Sequence, residues 1–147
     1  MQLTRVAIIG LGSIGRRHLR LISEVRPDIE IILVRSGYGE VCKEEKIASK
    51  VVFSISEAIE FGIQAAIISS PATLHLQQSL ELAKSGVHLL IEKPLSHTMD
   101  RLDGLLKVIN DNNIVVMVGY VLRYDIGARK FKDWLSNKIT GKILHAR

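Results

Sequence analysis

The feature that most constrains the fold of this chain is an alternation between short aliphatic runs and segments of helical periodicity. The runs are rich in Val, Ile and Leu without intervening polar residues, a pattern typical of parallel strands covered on both faces. Strands of this kind, joined by crossover helices, predict an α/β fold: a doubly wound parallel sheet with helices on both faces. We expect strands at residues 5–9, 29–34, 50–54, 65–69, 87–92 and 114–119.

Three of the intervening segments predict helices. Residues 13–25 precede Pro27, residues 71–85 carry apolar side chains at helical spacing ahead of Gly86, and residues 98–112 place four aliphatic side chains on one stripe. An apolar stretch that follows Gly141 looks like the start of a further strand. We therefore expect this chain to be the first part of a longer protein.

Composition argues against several classes of protein. Cys42 is the single cysteine and no spaced pair of histidines is present, so neither a disulfide scaffold nor a metal site is expected. The longest apolar runs are far shorter than the ~20 residues of a membrane-spanning helix, and the first 15 residues lack the pattern of a signal peptide. These features predict a cytoplasmic protein without a membrane partner.

The net charge of +5 permits nucleic-acid binding, but the pattern needed for it is missing. Aromatic residues make up only 5% of the chain, and no predicted helix clusters Lys and Arg with interleaved aromatics. We therefore expect no nucleic-acid partner. A phosphate-bearing cofactor or a scattered basic surface would equally account for the charge.

The most specific local signal is the loop Gly10-Leu11-Gly12-Ser13-Ile14-Gly15, which leaves the first predicted strand and enters the first helix. This placement within a βαβ unit is the one that the dinucleotide-binding (Rossmann) fingerprint requires. Gly10 would permit a tight turn, Gly12 would let a pyrophosphate approach the backbone, and Gly15 would let helix and strand pack closely. The free N–H groups of the helix, including those of Ser13 and Ile14, would hold the anion. The alternative is a purely structural turn.

The end of the second strand discriminates between NAD and NADP. Arg35 stands 20 positions after Gly15, where an acidic residue would accept both ribose hydroxyls and repel a 2′-phosphate. A guanidinium there offers a charged fork to the phosphate, and Ser36 adds a hydroxyl donor. We therefore predict that NADP is preferred over NAD, with Arg35 and Ser36 as the 2′-phosphate site. The alternative is a solvated arginine at the end of a strand.

Beyond the glycine loop, three further segments carry a resemblance to a known family. They are Ser69-Ser70-Pro71-Ala72-Thr73-Leu74-His75, Glu92-Lys93-Pro94-Leu95 and Val118-Gly119-Tyr120-Val121-Leu122-Arg123-Tyr124, each placed after a predicted strand. Together they resemble the family of glucose-fructose oxidoreductase, inositol dehydrogenase and MocA (Gfo/Idh/MocA). The resemblance runs along nearly the whole chain, and the E-K-P triplet is its most specific part.

The resemblance implies a two-domain oxidoreductase that moves a hydride between a nicotinamide cofactor and a hydroxyl-bearing carbon of a sugar, inositol or polyol. Lys93 is then the catalytic lysine, which donates to the substrate oxygen and stabilises developing alkoxide charge. The resemblance also places Glu92 and Lys93 among the cofactor-binding residues. Glu92 would orient Lys93 or tune its pKa, and Pro94 would follow a cis peptide bond. The alternative is an ordinary surface lysine.

The resemblance also places Ser69, Ser70, Pro71 and His75 beside the nicotinamide and diphosphate. Ser70 or Thr73 would cap the following helix, while His75 would either contact the cofactor or pack.

Two further sets of residues have alternative roles. Tyr120 and Arg123 match a segment that faces substrate in relatives, although Arg123 would equally serve as a structural partner of a carboxylate. We expect Arg16, Arg17 and His18 to form a solvated face rather than a phosphate site.

We divide the chain into a dinucleotide-binding domain at residues 1–120 and the start of a connection to a second domain at residues 121–147. The family's C-terminal α+β domain, which carries most of the substrate pocket and the oligomer interface, has no counterpart here. We therefore expect a cofactor-binding domain that is inactive alone, from a parent enzyme that forms homo-oligomers. The alternative is a free-standing nucleotide-binding or regulatory module without catalysis.

Overall fold

A computed structural model describes residues 2–139 and 141–142. Within these residues, strands and α-helices alternate as the sequence pattern predicts. The strands are β1 (Arg5–Ile9), β2 (Glu30–Val34), β3 (Lys50–Val52), β4 (Ala65–Ile68), β5 (His88–Ile91) and β6 (Val116–Val118). The helices are α1 (Ser13–Val25), α2 (Ile55–Glu60), α3 (Ala72–Lys84), α4 (Leu102–Asp111) and α5 (Ile126–Ser136), and two short 3₁₀ helices span Lys43–Ile47 and Val121–Arg123.

The six strands form one parallel sheet in the order β3-β2-β1-β4-β5-β6. This is the strand order of a doubly wound Rossmann sheet, so the predicted fold class is confirmed. The order reverses at β1, where Ile9 stands opposite Val34 of β2 on one side and Ile68 of β4 on the other. Ligands of such folds bind beyond the carboxyl ends of the strands at this reversal.

Both faces of the sheet are covered, which explains the continuous aliphatic runs. Ala7 and Ile9 of β1 belong to the larger core cluster, together with residues of α2, α3 and α4. Val6 and Ile8 point to the opposite face and pack in a second cluster with Leu19 of α1. Because β1 is buried on both sides, its carboxyl end is held firmly where the glycine loop begins.

The structure differs from the predicted helices in three places. Helix α4 begins at Leu102 rather than at residue 98, because Arg101 adopts a left-handed conformation with φ of 63°. Helix α2, with only six residues, was not predicted, although Ser54 caps it by accepting a hydrogen bond from the N–H of Glu57. Helix α5 was not predicted either. The expected strand after Gly141 lies outside the described residues.

Candidate functional site

A cleft of about 810 Å³ opens at the carboxyl ends of β1, β2 and β4. The end of each strand contributes to its wall, so this concave site lies at the reversal of strand order. Its lining includes the first half of the glycine loop and residues from the segments after β2, β3 and β4. The residues that line it are Ile9 to Gly12, Arg16, Val34 to Ser36, Tyr38 to Glu40, Cys42, Phe53 to Ile55, Ser69 to Pro71, Leu74, Gln77, Gln78 and Glu81.

The turn out of β1 requires glycine at position 10. Gly10 has φ of +89°, and its N–H donates to the carbonyl of Val34 at 3.1 Å, which joins the turn to the end of β2. A Cβ at this position would lie 2.9 Å from the backbone nitrogen of Ser70. Backbone conformation and space therefore both exclude larger residues.

Gly12 and Gly15 differ in what the fold itself demands of them. A Cβ on Gly15 would lie 2.1 Å from the carbonyl oxygen of Gly10, so α1 and the loop pack too closely for any side chain. A Cβ on Gly12 would meet nothing within 4 Å, and its φ of −68° suits any residue. The fold requires glycine at position 15 and leaves position 12 as open space on the cleft.

Helix α1 directs uncompensated N–H groups toward this space. Gly12 is its N-cap, no side chain caps it, and no acidic residue stands in its first turn. Ser13 and Ile14 lie exposed in that turn, and Arg16 reaches the wall of the cleft. These features favour an anion at the helix terminus. Arg16 was predicted to belong to a solvated face rather than a phosphate site; it is half-buried and lines the cleft.

The alternative interpretation of Arg35, a solvated arginine at the end of a strand, is wrong. The Arg35 side chain is only 11% exposed, its Nη1 donates to Oε1 of Glu45, and its Nη2 donates to the carbonyls of Tyr38 at 2.9 Å and Gly39 at 3.2 Å. Ser36 stands beside it and accepts from the N–H of Tyr38 at 3.4 Å. Both Arg35 and Ser36 line the cleft.

The two serines after β4 contact different elements: Ser69 contacts the glycine loop, and Ser70 contacts the following helix, α3. The hydroxyl of Ser69 lies 3.0 Å from the carbonyl oxygens of both Ile9 and Gly10. The Ser70 hydroxyl donates to Oε1 of Gln78 at 2.5 Å. Pro71 is the N-cap of α3, with no side-chain hydrogen bond, so the prediction that Ser70 or Thr73 caps this helix is wrong.

His75 lies beneath the cleft and not in its wall. The imidazole is 1% exposed, with Nε2 2.8 Å from the carbonyl oxygen of Ser70 and Nδ1 2.9 Å from that of Pro94. The ring thus bridges the segment after β4 and the segment after β5. This position favours packing over the predicted contact with a cofactor.

The E-K-P segment is attached to α1 through its glutamate. Nε2 of His18 lies 2.8 Å from Oε1 of Glu92, and the Lys93 N–H donates to Oε2 of Glu92 at 3.3 Å. His18 was predicted on a solvated face, but its side chain is only 17% exposed. Lys93 itself is exposed at the carboxyl end of β5, and the Lys93–Pro94 peptide is cis, as the resemblance implied.

Tyr120 and Arg123 stand on the same edge of the sheet, after β6. Both are exposed, and Arg123 ends a 3₁₀ helix that begins at Val121. Within residues 2–139, Arg123 forms no ion pair with a carboxylate.

The 3₁₀ helix at Lys43–Ile47 supplies two carboxylates beside the cleft that the sequence analysis did not identify. Glu45 pairs with Arg35, and Glu44 is buried, with Oε1 2.9 Å from Nη1 of Arg20. A hydrogen bond from its own backbone N–H lowers the pKa of Glu44, burial opposes this effect, and Cys42, Arg16 and Arg20 reinforce it.

The described residues form neither a metal-binding cluster nor a membrane-spanning helix. No group of three or more His, Cys, Asp or Glu side chains in this part of the chain is arranged to hold a metal ion. No helix among the same residues has both the length and the hydropathy that crossing a bilayer requires.

The strand order, the glycine loop and the cleft define this structure as a dinucleotide-binding Rossmann domain. Residues 4–120 match the family model described as "Oxidoreductase family, NAD-binding Rossmann fold" (GFO_IDH_MocA), and the chain belongs to that family. The family resemblance drawn from the sequence motifs is thereby confirmed.

Individual relatives include inositol dehydrogenases. Inositol 2-dehydrogenase of Acidiphilium cryptum (strain JF-5) is 30% identical over an alignment of 148 positions, which spans 92% of this chain and 42% of the relative. The crystal structure of myo-inositol 2-dehydrogenase from Lactobacillus plantarum superposes with a TM-score of 0.83 at 26% identity and covers 97% of this chain and 43% of that protein. A scyllo-inositol dehydrogenase from Lactobacillus casei, solved with NAD(H) and scyllo-inositol, shares the fold with a TM-score of 0.80 at 22% identity. The chain spans less than half the length of these relatives.

Proposed function

We propose that this chain is the cofactor-binding domain of an oxidoreductase that transfers a hydride between NADP(H) and a hydroxyl-bearing carbon of a sugar-like or polyol substrate. The observation that carries the proposal is the contrast within the glycine loop. Glycine at positions 10 and 15 is demanded by the fold, whereas glycine at position 12 is not and faces open space at the N-terminus of α1. A ligand that must approach the backbone closely would explain why position 12 is glycine although the fold does not require it. A dinucleotide pyrophosphate is such a ligand.

The remaining walls of the cleft fit the other parts of a dinucleotide. Tyr38 and Phe53 line it with exposed rings on the side of β2 and β3, where an adenine would find apolar surface. Ser69, Ser70 and Pro71 form the opposite side, toward β4 and β5. The volume of about 810 Å³ falls within the usual range of small-molecule sites.

The residues at the end of β2 support the proposed preference for NADP over NAD. No carboxylate follows Val34 directly, and Arg35 and Ser36 place a guanidinium and a hydroxyl on the cleft. A guanidinium pairs well with a phosphate because its planar, positively charged fork of N–H donors can bond two of the negatively charged phosphate oxygens at once.

Lys93 is proposed as the residue that handles the reacting oxygen. The nicotinamide supplies the carbon that accepts or gives the hydride. The Lys93 ammonium stands exposed at the end of β5, adjacent to β4, where it would donate a hydrogen bond to the substrate oxygen and hold negative charge that develops there. Tyr120 and Arg123, exposed on the same edge, would contact the hydroxyl groups of the substrate.

The chain alone is proposed to bind dinucleotide without turning over a substrate, as part of a longer, oligomeric enzyme. Its coverage of only 42% of the inositol 2-dehydrogenase supports this arrangement. A reading frame that continues past Arg147 would agree with it, whereas a stop codon there would favour the second candidate, a free-standing nucleotide-binding module. A cytoplasmic location stays a prediction from the sequence.

Isothermal titration of the chain with NADPH and with NADH tests the proposal. We expect saturable binding of both, tighter for NADPH, and loss of that difference in Arg35→Ala. Tighter binding of NADH, or an unchanged preference in Arg35→Ala, would contradict the proposed NADP preference. Absence of binding by either cofactor would contradict the function itself.

A further inference from the structure

The strand-end arginine that would recognise a 2′-phosphate already has an anionic partner in this structure. Arg35 Nη1 donates to Oε1 of Glu45, and the two side chains are only 11% and 12% exposed. A charge-assisted hydrogen bond at this degree of burial is stronger than one on an open surface. A second anion at this guanidinium must therefore displace the Glu45 carboxylate or bind beside it.

Glu45 is held in position by the loop that it belongs to. Its Oε1 also accepts from the N–H of Cys42 at 3.1 Å, which fixes the carboxylate at the start of the 3₁₀ helix. Nη2 of Arg35 is in turn held by the carbonyls of Tyr38 and Gly39. The loop between β2 and the 3₁₀ helix thus closes around the guanidinium on two sides, and Glu45 supplies the only charged contact among the described residues.

We propose that Glu45 determines cofactor specificity by competing with the 2′-phosphate for Arg35. This inference rests on the proposed function, since it requires a dinucleotide in the cleft. A 2′-phosphate would have to displace the Glu45 carboxylate or share the guanidinium with it, next to a negative charge that repels it. A ribose without the phosphate leaves the Arg35–Glu45 pair intact. Glu45 therefore weakens binding of NADP(H) and leaves binding of NAD(H) nearly unchanged.

The substitution Glu45→Gln tests this competition. The amide oxygen can still accept from Cys42 and Arg35, so the loop is retained while the charge is removed. We expect the Kd for NADPH to fall about 5- to 10-fold, the size of effect that removal of one competing charge-assisted hydrogen bond allows. The Kd for NADH should stay within about 2-fold. An unchanged ratio of the two dissociation constants would overturn the inference.

Two controls separate competition from general electrostatics. Glu60→Gln removes the same charge from an exposed position in α2, outside the cleft, and should leave the NADPH/NADH ratio at its wild-type value. In an Arg35→Ala background, Glu45→Gln should no longer favour NADPH, because the group for which carboxylate and phosphate compete is gone. If either control increased the affinity for NADPH relative to NADH as much as Glu45→Gln does in the wild-type background, the proposal would be overturned.

A second variant keeps the test decisive if Glu45→Gln does not fold. Glu45→Asp keeps the charge but shortens its reach toward Arg35, so it should also lower the Kd for NADPH relative to NADH, by a smaller factor. Thermal melts without ligand establish that each variant is folded before titration. If the wild-type chain binds neither cofactor, the proposed function fails together with this inference. If it binds both and neither variant changes their ratio, the inference alone fails.

Discussion

Nε2 of His18 in α1 lies 2.8 Å from Oε1 of Glu92 at the end of β5, although 74 positions separate the two residues. The pair is largely shielded from solvent, with side-chain exposures of 17% and 13%. Glu92 also accepts from the N–H of Lys93, and a Cβ on Gly119 would lie 3.2 Å from its carboxylate. The first helix, the E-K-P segment and the end of β6 thus meet at one carboxylate, which orients the segment that carries Lys93.

Loss of His18 should destabilise the fold. His18→Ala leaves the shielded Glu92 carboxylate without its partner, and we expect the free energy of unfolding to fall by about 1–3 kcal/mol. Arg17→Ala removes a neighbouring side chain that is exposed, and should change the stability by no more than about 0.5 kcal/mol. Urea unfolding of the two variants and the wild type measures the difference. Equal stabilities would show that the pair contributes nothing.

Alanine at position 15 should impair folding, whereas alanine at position 12 should impair cofactor binding. Gly15→Ala places a Cβ 2.1 Å from the carbonyl oxygen of Gly10 and should unfold or strongly destabilise the chain. Gly12→Ala meets nothing within 4 Å, so its thermal stability should be near that of the wild type. Its methyl group occupies the space proposed for the pyrophosphate, and the Kd for NADPH should therefore rise at least about 10-fold. A Gly12→Ala variant that binds as tightly as the wild type would place the diphosphate elsewhere.

The bridge made by His75 should be needed for stability. His75→Leu fills similar space but removes the imidazole whose ring nitrogens lie 2.8 Å from the carbonyl oxygen of Ser70 and 2.9 Å from that of Pro94, at an expected cost of about 1–3 kcal/mol. His97→Leu, in an exposed segment, is the matched control and should cost little. Chemical denaturation of both variants provides the comparison. Similar stabilities would mean that the His75 imidazole acts only by filling space.

Acid should weaken the fold partly through Glu44. Since folding lowers the pKa of Glu44, its contribution to stability is fully present above its ordinary pKa of 4.5 and is lost as the pH falls through the lower value of the folded state. Glu44→Gln should therefore lose less stability than the wild type as the pH is lowered from 6 to about 3. Melting temperatures of the two proteins, measured across this pH range, test the prediction. The hydrogen bond from Arg26 lowers the pKa of Asp28, so Asp28 contributes to the acid sensitivity of both proteins. The loss of stability at low pH should therefore be smaller in Glu44→Gln than in the wild type, but not absent.

The fold was predictable from the sequence because its signals are local. Strand β1, the glycine loop and α1 follow one another within 25 residues, and each has its own pattern of aliphatic or helical spacing. Helix α5 carries such signals too, since Asp125 accepts from the N–H of Ala128 at its start, but it was assigned to a connection. Helix α2 is too short for a periodic pattern to stand out.

Contacts across the site were not predictable in the same way. Arg35 and Ser36 were identified by their distance from Gly15, but nothing in that spacing indicates that Glu45 would reach back to the guanidinium. The same holds for His18, whose partner is fixed only when β5 packs beside β4. Sequence patterns show which residues follow a strand, and the folded sheet decides which of them meet.

Lys93 should affect turnover and not cofactor affinity. Its side chain is exposed at the end of β5 and does not line the cleft, so Lys93→Met in this chain should leave the Kd for NADPH within about 2-fold of the wild type. In an enzyme of the relatives' length that carries this domain, the same substitution should lower kcat by about 100-fold or more, because a positioned proton donor at the reacting oxygen is lost. Lys107→Met, which alters an exposed lysine paired with Asp111 on α4, should leave both quantities near their wild-type values. Steady-state kinetics with a polyol substrate, together with titration of the cofactor, distinguishes the two effects. Weaker binding of the cofactor with an unchanged kcat would identify Lys93 as a binding residue instead of a catalytic one.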